Sequence, residues 1–379
     1  MDIRVLHIIP SLNKGGAERI TLDICKALSL RSDCEVLLVF MRDDRSYEIP
    51  TQLSYKVTSS RVKLSVWKKN RYQLTDLNQI FTTFQPTIVH SHLFEAELLS
   101  RGLIKKGVTY ITHVHDNITQ FSPFQRNASI KRKISDYYER FWIFKRYSKV
   151  NNQFISISSD TTRYLQAVLP TSFKETIFPL SNAIDYDRFY FDQSRSHPHG
   201  KLRLISVGSL VPKKNQFLLI EIATLLKSTN IDFELLILGE GPERPQLEEE
   251  IAVQGLTGMV QLLGNVHDVP FYLHQANLFI HPAIYEPFGL VLLEAMAAGL
   301  PVISLDGGGN RDIIINGKNG FLISENDARS FVEKIQHFSS HPHQYKIMSE
   351  FAQSFAKQYD ISIYIDQLME FYHQCLEKK

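Results

Sequence analysis

The sequence predicts two α/β domains in tandem, and three observations carry that prediction. Short apolar runs of strand length alternate with segments of helical periodicity along most of the chain. The alternation breaks in a polar stretch running to Gly200 and then restarts. At 379 residues the chain also exceeds what a single core ordinarily holds. The runs are continuously apolar rather than alternating, which is what parallel strands buried on both faces require. The expected division is 1–181 and 182–361, with a last helix at about 362–379 able to return to the first domain, and a cleft is expected between the two.

In the first half, Arg4 to Ile9 is a strand, followed by Gly15-Gly16-Ala17-Glu18 and a helical pattern through Ile20, Leu22, Ile24, Ala27 and Leu28. Strand, glycine pair and helix together turn backbone N–H groups toward an anion. The pair is neither a P-loop nor a G-x-G-x-x-G fingerprint, and many turns use one structurally. Strands follow at Glu35–Met41, Thr87–His92, Thr109–His115 and Gln153–Ser159, with a helix at Phe94–Leu103. Ligands of open α/β sheets bind beyond the carboxyl ends of strands. Four histidines (His90, His92, His113, His115) stand at two such ends. No carboxylate or Cys set at ligand spacing accompanies them, so a hydrogen-bonding His is preferred to a metal ligand, and His115 is the candidate.

Residues 126–149 hold eight Lys/Arg, two acids and six aromatics. Ile134, Tyr137, Tyr138, Phe141, Trp142 and Phe144 or Lys145 follow helical spacing. Such a helix either lies on an anionic membrane surface or is a domain helix whose aromatic stripe is core. No nucleic-acid-binding module is visible.

In the second half, Asp185-Tyr186-Asp187 invites a metal-binding reading but sits in a connector, so it is read as structural. Leu202–Val207 is a strand leading into Gly208-Ser209 and the cations Lys213 and Lys214. A helix (Gln216–Leu226), the strand Phe233–Leu238, the turn Gly239-Glu240-Gly241 and a charged helix (Glu243–Gln254) follow. The strands Val260–Leu263 and Leu278–His281 come next, and Pro301–Leu305 ends at the glycine loop Asp306–Asp312. From about Ala328 the chain reads as helix.

The stretch Tyr285–Gly299 is distinctive. Leu, Ala and Met from about Leu290 favour helix, and Gly299 with Pro301 stops it. A helix this apolar is expected to be buried, which places the Glu294 carboxylate in a costly position. Either backbone or a Lys satisfies it, or it hydrogen-bonds ligand hydroxyls, with Gly289 letting the ligand approach the helix N-terminus. A cation loop, a glycine loop and a helix N-terminus, each after a strand, describe a site for a phosphorylated ligand.

Composition bounds the class. With 44% hydrophobic and 22% charged residues the chain is globular in type. Cys25, Cys34 and Cys375 are scattered, which fits a reducing compartment. The chain starts directly with a strand and holds no apolar run of 18 residues, so a cytoplasmic protein is expected. Charge is divided unevenly: residues 1–181 hold 26 Lys+Arg against 16 Asp+Glu, and 182–379 hold 16 against 24. The first half is therefore expected to meet an anionic partner.

Taken together, Gly15-Gly16-Ala17-Glu18, Gly208…Lys214-Asn215, Gly239-Glu240-Gly241 and Glu286-Pro287-Phe288-Gly289…Glu294 resemble the retaining glycosyltransferase family four, over nearly the whole chain. The resemblance implies a GT-B fold of two Rossmann-like domains facing across a cleft, and a nucleotide-sugar donor held mainly by the second, without metal or other cofactor. It implies that Glu294 holds the ribose, Glu286 faces the donor sugar, and the backbone at Phe288, Gly289 and Leu290 meets the diphosphate. Lys214 neutralises the leaving diphosphate, Gly16 offers its N–H from the first domain, and His115 lies near sugar and acceptor. Many members carry Arg where this chain has Ser209, so Lys213 or the Ser209 hydroxyl must replace one phosphate contact. The loop Gly308-Gly309-Asn310-Arg311-Asp312 also departs from the commoner Gly-Gly-x-Pro-Glu form.

The function implied is transfer of a sugar from a UDP-linked donor to a saccharide or lipid-linked saccharide in surface polysaccharide assembly. The charge pattern adds an expected peripheral position at the inner membrane face through 126–149. A nucleotide-sugar epimerase and a non-catalytic sugar-nucleotide-binding protein are the alternatives.

Overall fold

The structure, a computed structural model, describes residues 3–122, 128–193, 195, 200–229 and 231–377. Part of the basic segment (126–127), part of the linker before Gly200, and the last two residues of the expected C-terminal helix lie outside these. The chain divides into two compact units, residues 1–183 with 361–379, and residues 184–360.

The first unit is built on a seven-stranded parallel sheet. Its strands are β1 (Ile3–Ile9), β2 (Cys34–Phe40), β3 (Tyr55–Val57), β6 (Ile88–His92), β7 (Thr109–Val114), β8 (Asn151–Ser156) and β9 (Ile177–Pro179), in the order β3-β2-β1-β6-β7-β8-β9. A separate antiparallel hairpin joins β4 (Arg61–Lys63) to β5 (Arg71–Gln73). β1 is buried along its length except at Arg4, as a central strand covered on both faces must be. The helix Ile361–Glu377 belongs to this unit, and its Asp366 pairs with Arg31 at 2.9 Å.

The second unit has six parallel strands: β10 (Leu202–Val207), β11 (Phe233–Leu238), β12 (Val260–Gly264), β13 (Leu278–His281), β14 (Val302–Leu305) and β15 (Gly320–Ile323), in the order β12-β11-β10-β13-β14-β15. Its core includes the helices Phe217–Lys227 and Ala328–Ser340, whose Leu219, Ile222, Phe331 and Ile335 pack with Leu204, Leu235 and Ile280 of the sheet.

One expected boundary moves. The strand read as Gln153–Ser159 stops at Ser156, and a helix occupies Ser159–Val168. Ser158 Oγ accepts from the Thr161 N–H at 3.1 Å while Thr161 Oγ1 accepts from the Ser158 N–H at 2.9 Å. The serines thus cap a helix rather than extend a strand.

Both units contain a buried arginine with an identifiable task. Arg101, wholly buried, donates to Ser91, Ser100, Thr112 and Asn152, lies 3.4 Å from Glu97, and stacks on Tyr110 and Tyr147. It ties the helix Phe94–Gly102 to β6, β7 and β8. Arg195 donates to the carbonyls of Leu273, Ala276 and Ala298 at 2.6–2.9 Å. These carbonyls end the helices Val269–Gln275 and Leu290–Ala297, where a cation suits the dipole.

Removing one partner of a buried pair leaves the other charge uncompensated. Arg101→Ala is therefore expected to lower stability by about 3–5 kcal/mol, read from urea denaturation midpoints. A loss below about 1 kcal/mol would show that the network does not hold the first unit together.

Candidate active site

In both units the strand order reverses beside the first strand. β1 lies between β2 and β6, and β10 lies between β11 and β13. Such a switch point opens a crevice beyond the carboxyl ends of the strands. The loops that leave β1, β6, β10 and β13 carry most of the residues singled out by the sequence.

In the second unit, the loop after β10 ends in a short 3₁₀ turn, Pro212–Lys214, closed by Asn215 in the left-handed region at φ 54°. Lys213 O accepts from the Ile284 N–H, and Asn215 Nδ2 donates to Pro282 O, which pins this loop to the segment after β13. Lys214 Nζ then lies 2.6 Å from Glu286 Oε2, and His281 Nε2, at the end of β13, lies 2.9 Å from the same oxygen. Burial pushes the Glu286 carboxyl up, but the Lys214 ammonium and His281 together hold it well below the ordinary range. Burial pushes His281 down, so it meets Glu286 as a neutral imidazole. His281 was not among the expected site residues; its signal was a polar residue closing an apolar strand.

Two backbone clamps support this pair. Glu286 N–H donates to Gly307 O at 2.8 Å and Gly309 N–H donates to Glu286 O at 2.9 Å. A Cβ on Gly309 would strike the Pro287 carbonyl, so the glycine loop is what lets Glu286 sit there. The Gly239-Glu240-Gly241 turn serves the other side: a Cβ on Gly239 would strike the Gly208 carbonyl and one on Gly241 the Leu210 carbonyl. Those glycines brace the lysine loop.

Gly289, at φ 105°, caps the helix Leu290–Ala297. Burial in this helix corrects the sequence expectation. Leu292, Leu293, Ala295, Met296 and Ala297 are buried, but Leu290, Val291 and Glu294 are only half-buried and share one open face. Glu294 is therefore not a core carboxylate. The Phe288 ring is buried and leans on Tyr359, so only its backbone is free to meet a ligand. Ser209 is exposed, and Lys213 lies over the Tyr285 ring at 5.8 Å.

In the first unit, Gly16 opens the helix Gly16–Ser29 and is exposed. His115, just past β7, is buried and lines a pocket of about 170 Å³ with Leu93, Phe94, Thr112 and Asn117. Leu93 takes φ 67°, a strained position for a leucine, between the end of β6 and its helix. His115 is the end of a stack of five buried imidazoles, His7, His90, His92, His113 and His115, contributed by β1, β6 and β7. Their ring centroids lie 4.1–5.2 Å apart. The register places His7 beside His90 and His92 beside His113, which is why the rings stack. Two triads within the stack have nitrogens inside 4.8 Å of one another, a spacing that also suits a metal ion. The facing nitrogens are 2.9–3.1 Å apart, the separation of hydrogen-bonded pairs. His7, inside an apolar strand, was missed by the sequence reading.

The expected aromatic stripe of 126–149 is split. In the helix Ile130–Tyr147, Trp142, Ile143 and Tyr147 are buried, and Trp142 donates to Tyr72 of the β4–β5 hairpin. Ile130, Ile134, Tyr137 and Phe141 are exposed along the opposite side. Among the described residues no helix is long and apolar enough to cross a membrane.

Two family models match the chain: Glycosyltransferase Family 4 over residues 14–188 and Glycosyl transferases group 1 over residues 187–355. Between them the two models cover residues 14–355, so the chain is built of two glycosyltransferase-family domains. Relatives of this chain include the 2-deoxystreptamine N-acetyl-D-glucosaminyltransferase of Niallia circulans (29% identical over 41% of this chain) and the amylovoran biosynthesis glycosyltransferase AmsK of Erwinia amylovora (34% over 35%). The match spans 40% and 34% of their lengths. Anabaena HepE, solved with UDP and glucose, shares the GT-B fold at a TM-score of 0.76 and 18% identity, over 97% of this chain and 99% of that one.

The Glu286 carboxyl is held below its ordinary value of 4.5, so its contribution to stability is complete above that pH and is lost as pH falls beneath it. Glu286→Gln is expected to cost about 1–3 kcal/mol near neutral pH, with the gap closing in denaturation curves taken below about pH 4.5. A gap independent of pH would mean that Glu286 gains nothing from Lys214.

Proposed function

We propose that this glycosyltransferase moves a sugar from a UDP-linked donor to a hydroxyl of a saccharide or lipid-linked saccharide, with retained anomeric configuration. The observation that carries the reading is the meeting of Lys214, Glu286 and the Gly289-capped helix at the switch point of the second unit. Departure of a nucleoside diphosphate requires stabilised negative charge, and an ammonium beside a helix N-terminus supplies it electrostatically. Lys214 exchanges Glu286 for the diphosphate, while Glu286 keeps His281 and turns its second oxygen to the donor sugar. The open placement of Glu294 supports a contact with ribose hydroxyls. The leaving phosphate takes the acceptor's proton, so no side-chain nucleophile is needed. Within the first unit, Gly16 offers an N–H and His115 a hydrogen-bonding imidazole.

The reading is metal-free, because Lys214 and backbone N–H groups supply the charge that a divalent cation would. The polysaccharide acceptor is supported by the amylovoran relative. Ile130, Ile134, Tyr137 and Phe141, exposed on one helix with Lys131, Arg132 and Lys145, support a peripheral seat on an anionic membrane surface at the cytoplasmic face.

Glu294→Ala is expected to weaken UDP binding in calorimetry by about 1.5–3 kcal/mol, the worth of hydrogen bonds to a charged group. An unchanged affinity would remove the ribose assignment. Lys214→Ala is expected to lower kcat by about 10²-fold with EDTA present or absent. Abolition of wild-type transfer by EDTA and its restoration by Mn²⁺ would overturn the metal-free reading. In flotation, binding to vesicles containing anionic lipid is expected and is lost on Phe141→Asp; no binding in either case would sink the membrane seat.

A further inference from the structure

The five stacked histidines form two hydrogen-bonded runs that start at one hydroxyl. Tyr372, on the helix Ile361–Glu377, places its Oη 2.7 Å from His90 Nδ1 and 3.4 Å from His7 Nε2. One run continues from His90 Nε2 to His113 Nδ1 at 3.1 Å. The other continues from His7 Nδ1 to His92 Nε2 and from His92 Nδ1 to His115 Nε2, both at 2.9 Å. Burial lowers the pKa of every ring, to about 3 for His7 and His115, so each is neutral and has one N–H and one lone pair.

That condition makes each run directional. Every contact needs one donor and one acceptor, so the proton position on one ring dictates the next. Tyr372 has a single hydroxyl proton and donates to only one run; the other run must then donate to its oxygen. The distances choose the direction, because a bond donated by a hydroxyl is the shorter kind. The contact to His90 is much the shorter. The first run therefore reads Tyr372 to His90 to His113, and the second reads His115 to His92 to His7 to Tyr372.

All five rings are then Nε2–H tautomers. His115 Nδ1, buried and without a bonded partner among the described residues, is left with its lone pair on the ring that lines the pocket. We propose that Tyr372 fixes the tautomer of His115 through His7 and His92, so that His115 Nδ1 is a standing acceptor for a hydroxyl of the sugar or its acceptor. Tyr372 is thus a positioning residue that never touches the ligand, delivered by the last helix of the chain. The ligand half of the proposal rests on sugar transfer; the tautomer half does not.

Neutron diffraction from perdeuterated, ligand-free crystals of the wild type and Tyr372→Phe near neutral pH tests it. In the wild type, deuterium is expected on Nε2 of all five rings. In Tyr372→Phe, which keeps the ring, no hydroxyl sets the direction of either run. His7, His92 and His115 are expected to divide deuterium between both nitrogens, roughly half at each, because neither direction is then preferred. Deuterium on His115 Nδ1 in the wild type would overturn the proposal, as would an unchanged pattern in the Phe variant. Stoichiometric zinc in the purified wild type would overturn it too, since a metal then stands where these protons are placed. The deuterium positions are read without turnover, so they stand or fall apart from the proposed reaction.

Discussion

The chemistry of the second unit depends on one contact, the 2.6 Å pairing of Lys214 with Glu286. Neither residue reaches the other by its own loop alone. The lysine loop is held by Asn215 and Ile284, and the glutamate by backbone bonds to Gly307 and Gly309. Parallel strands make this possible, because β10 and β13 deliver both loops to the same edge. The glycines at 239, 241 and 309 are there because backbone runs against backbone, and any side chain would separate the loops.

The two units use the same wiring for opposite electrostatics. At the edge of β10 and β13 the polar groups form an ion pair, with Glu286 ionised far below its usual range. At the edge of β1, β6 and β7 burial strips charge from five imidazoles and leaves a neutral, directional array. A charged pair suits an anionic ligand, and neutral acceptors suit hydroxyl groups. The overall charge follows a different logic: Arg101 apart, the excess cations of 1–181 lie largely at the surface, six of them on the helix Ile130–Tyr147.

Much of this was readable from the sequence where periodicity and turn chemistry agree. Long apolar strands such as Ile3–Ile9 and Leu202–Val207 announced themselves, as did Gly289 before its helix and Lys214 after its strand. The short strands Tyr55–Val57, Arg61–Lys63 and Arg71–Gln73 did not, because three residues carry no period. The helix around Glu294 was read as buried on every side, since an apolar neighbourhood in sequence does not say which helix face is open. His7 and Tyr372 needed the fold: their partners are fixed by strand register or lie 282 positions away in sequence, as His90 does from Tyr372, while His281 needed the path of its own loop back to Glu286. Arg195 gave no signal, being one cation in a polar linker whose three carbonyl partners meet only after folding.

The central claim is that the second unit holds a nucleoside diphosphate at the Lys214–Glu286 edge. A crystal structure with uridine diphosphate soaked in tests it most directly. The account predicts ribose hydroxyls on the Glu294 carboxylate and a phosphate oxygen within hydrogen-bond reach of both Lys214 Nζ and the Leu290 N–H. A nucleotide bound away from these groups, with Lys214 still paired to Glu286, would contradict it.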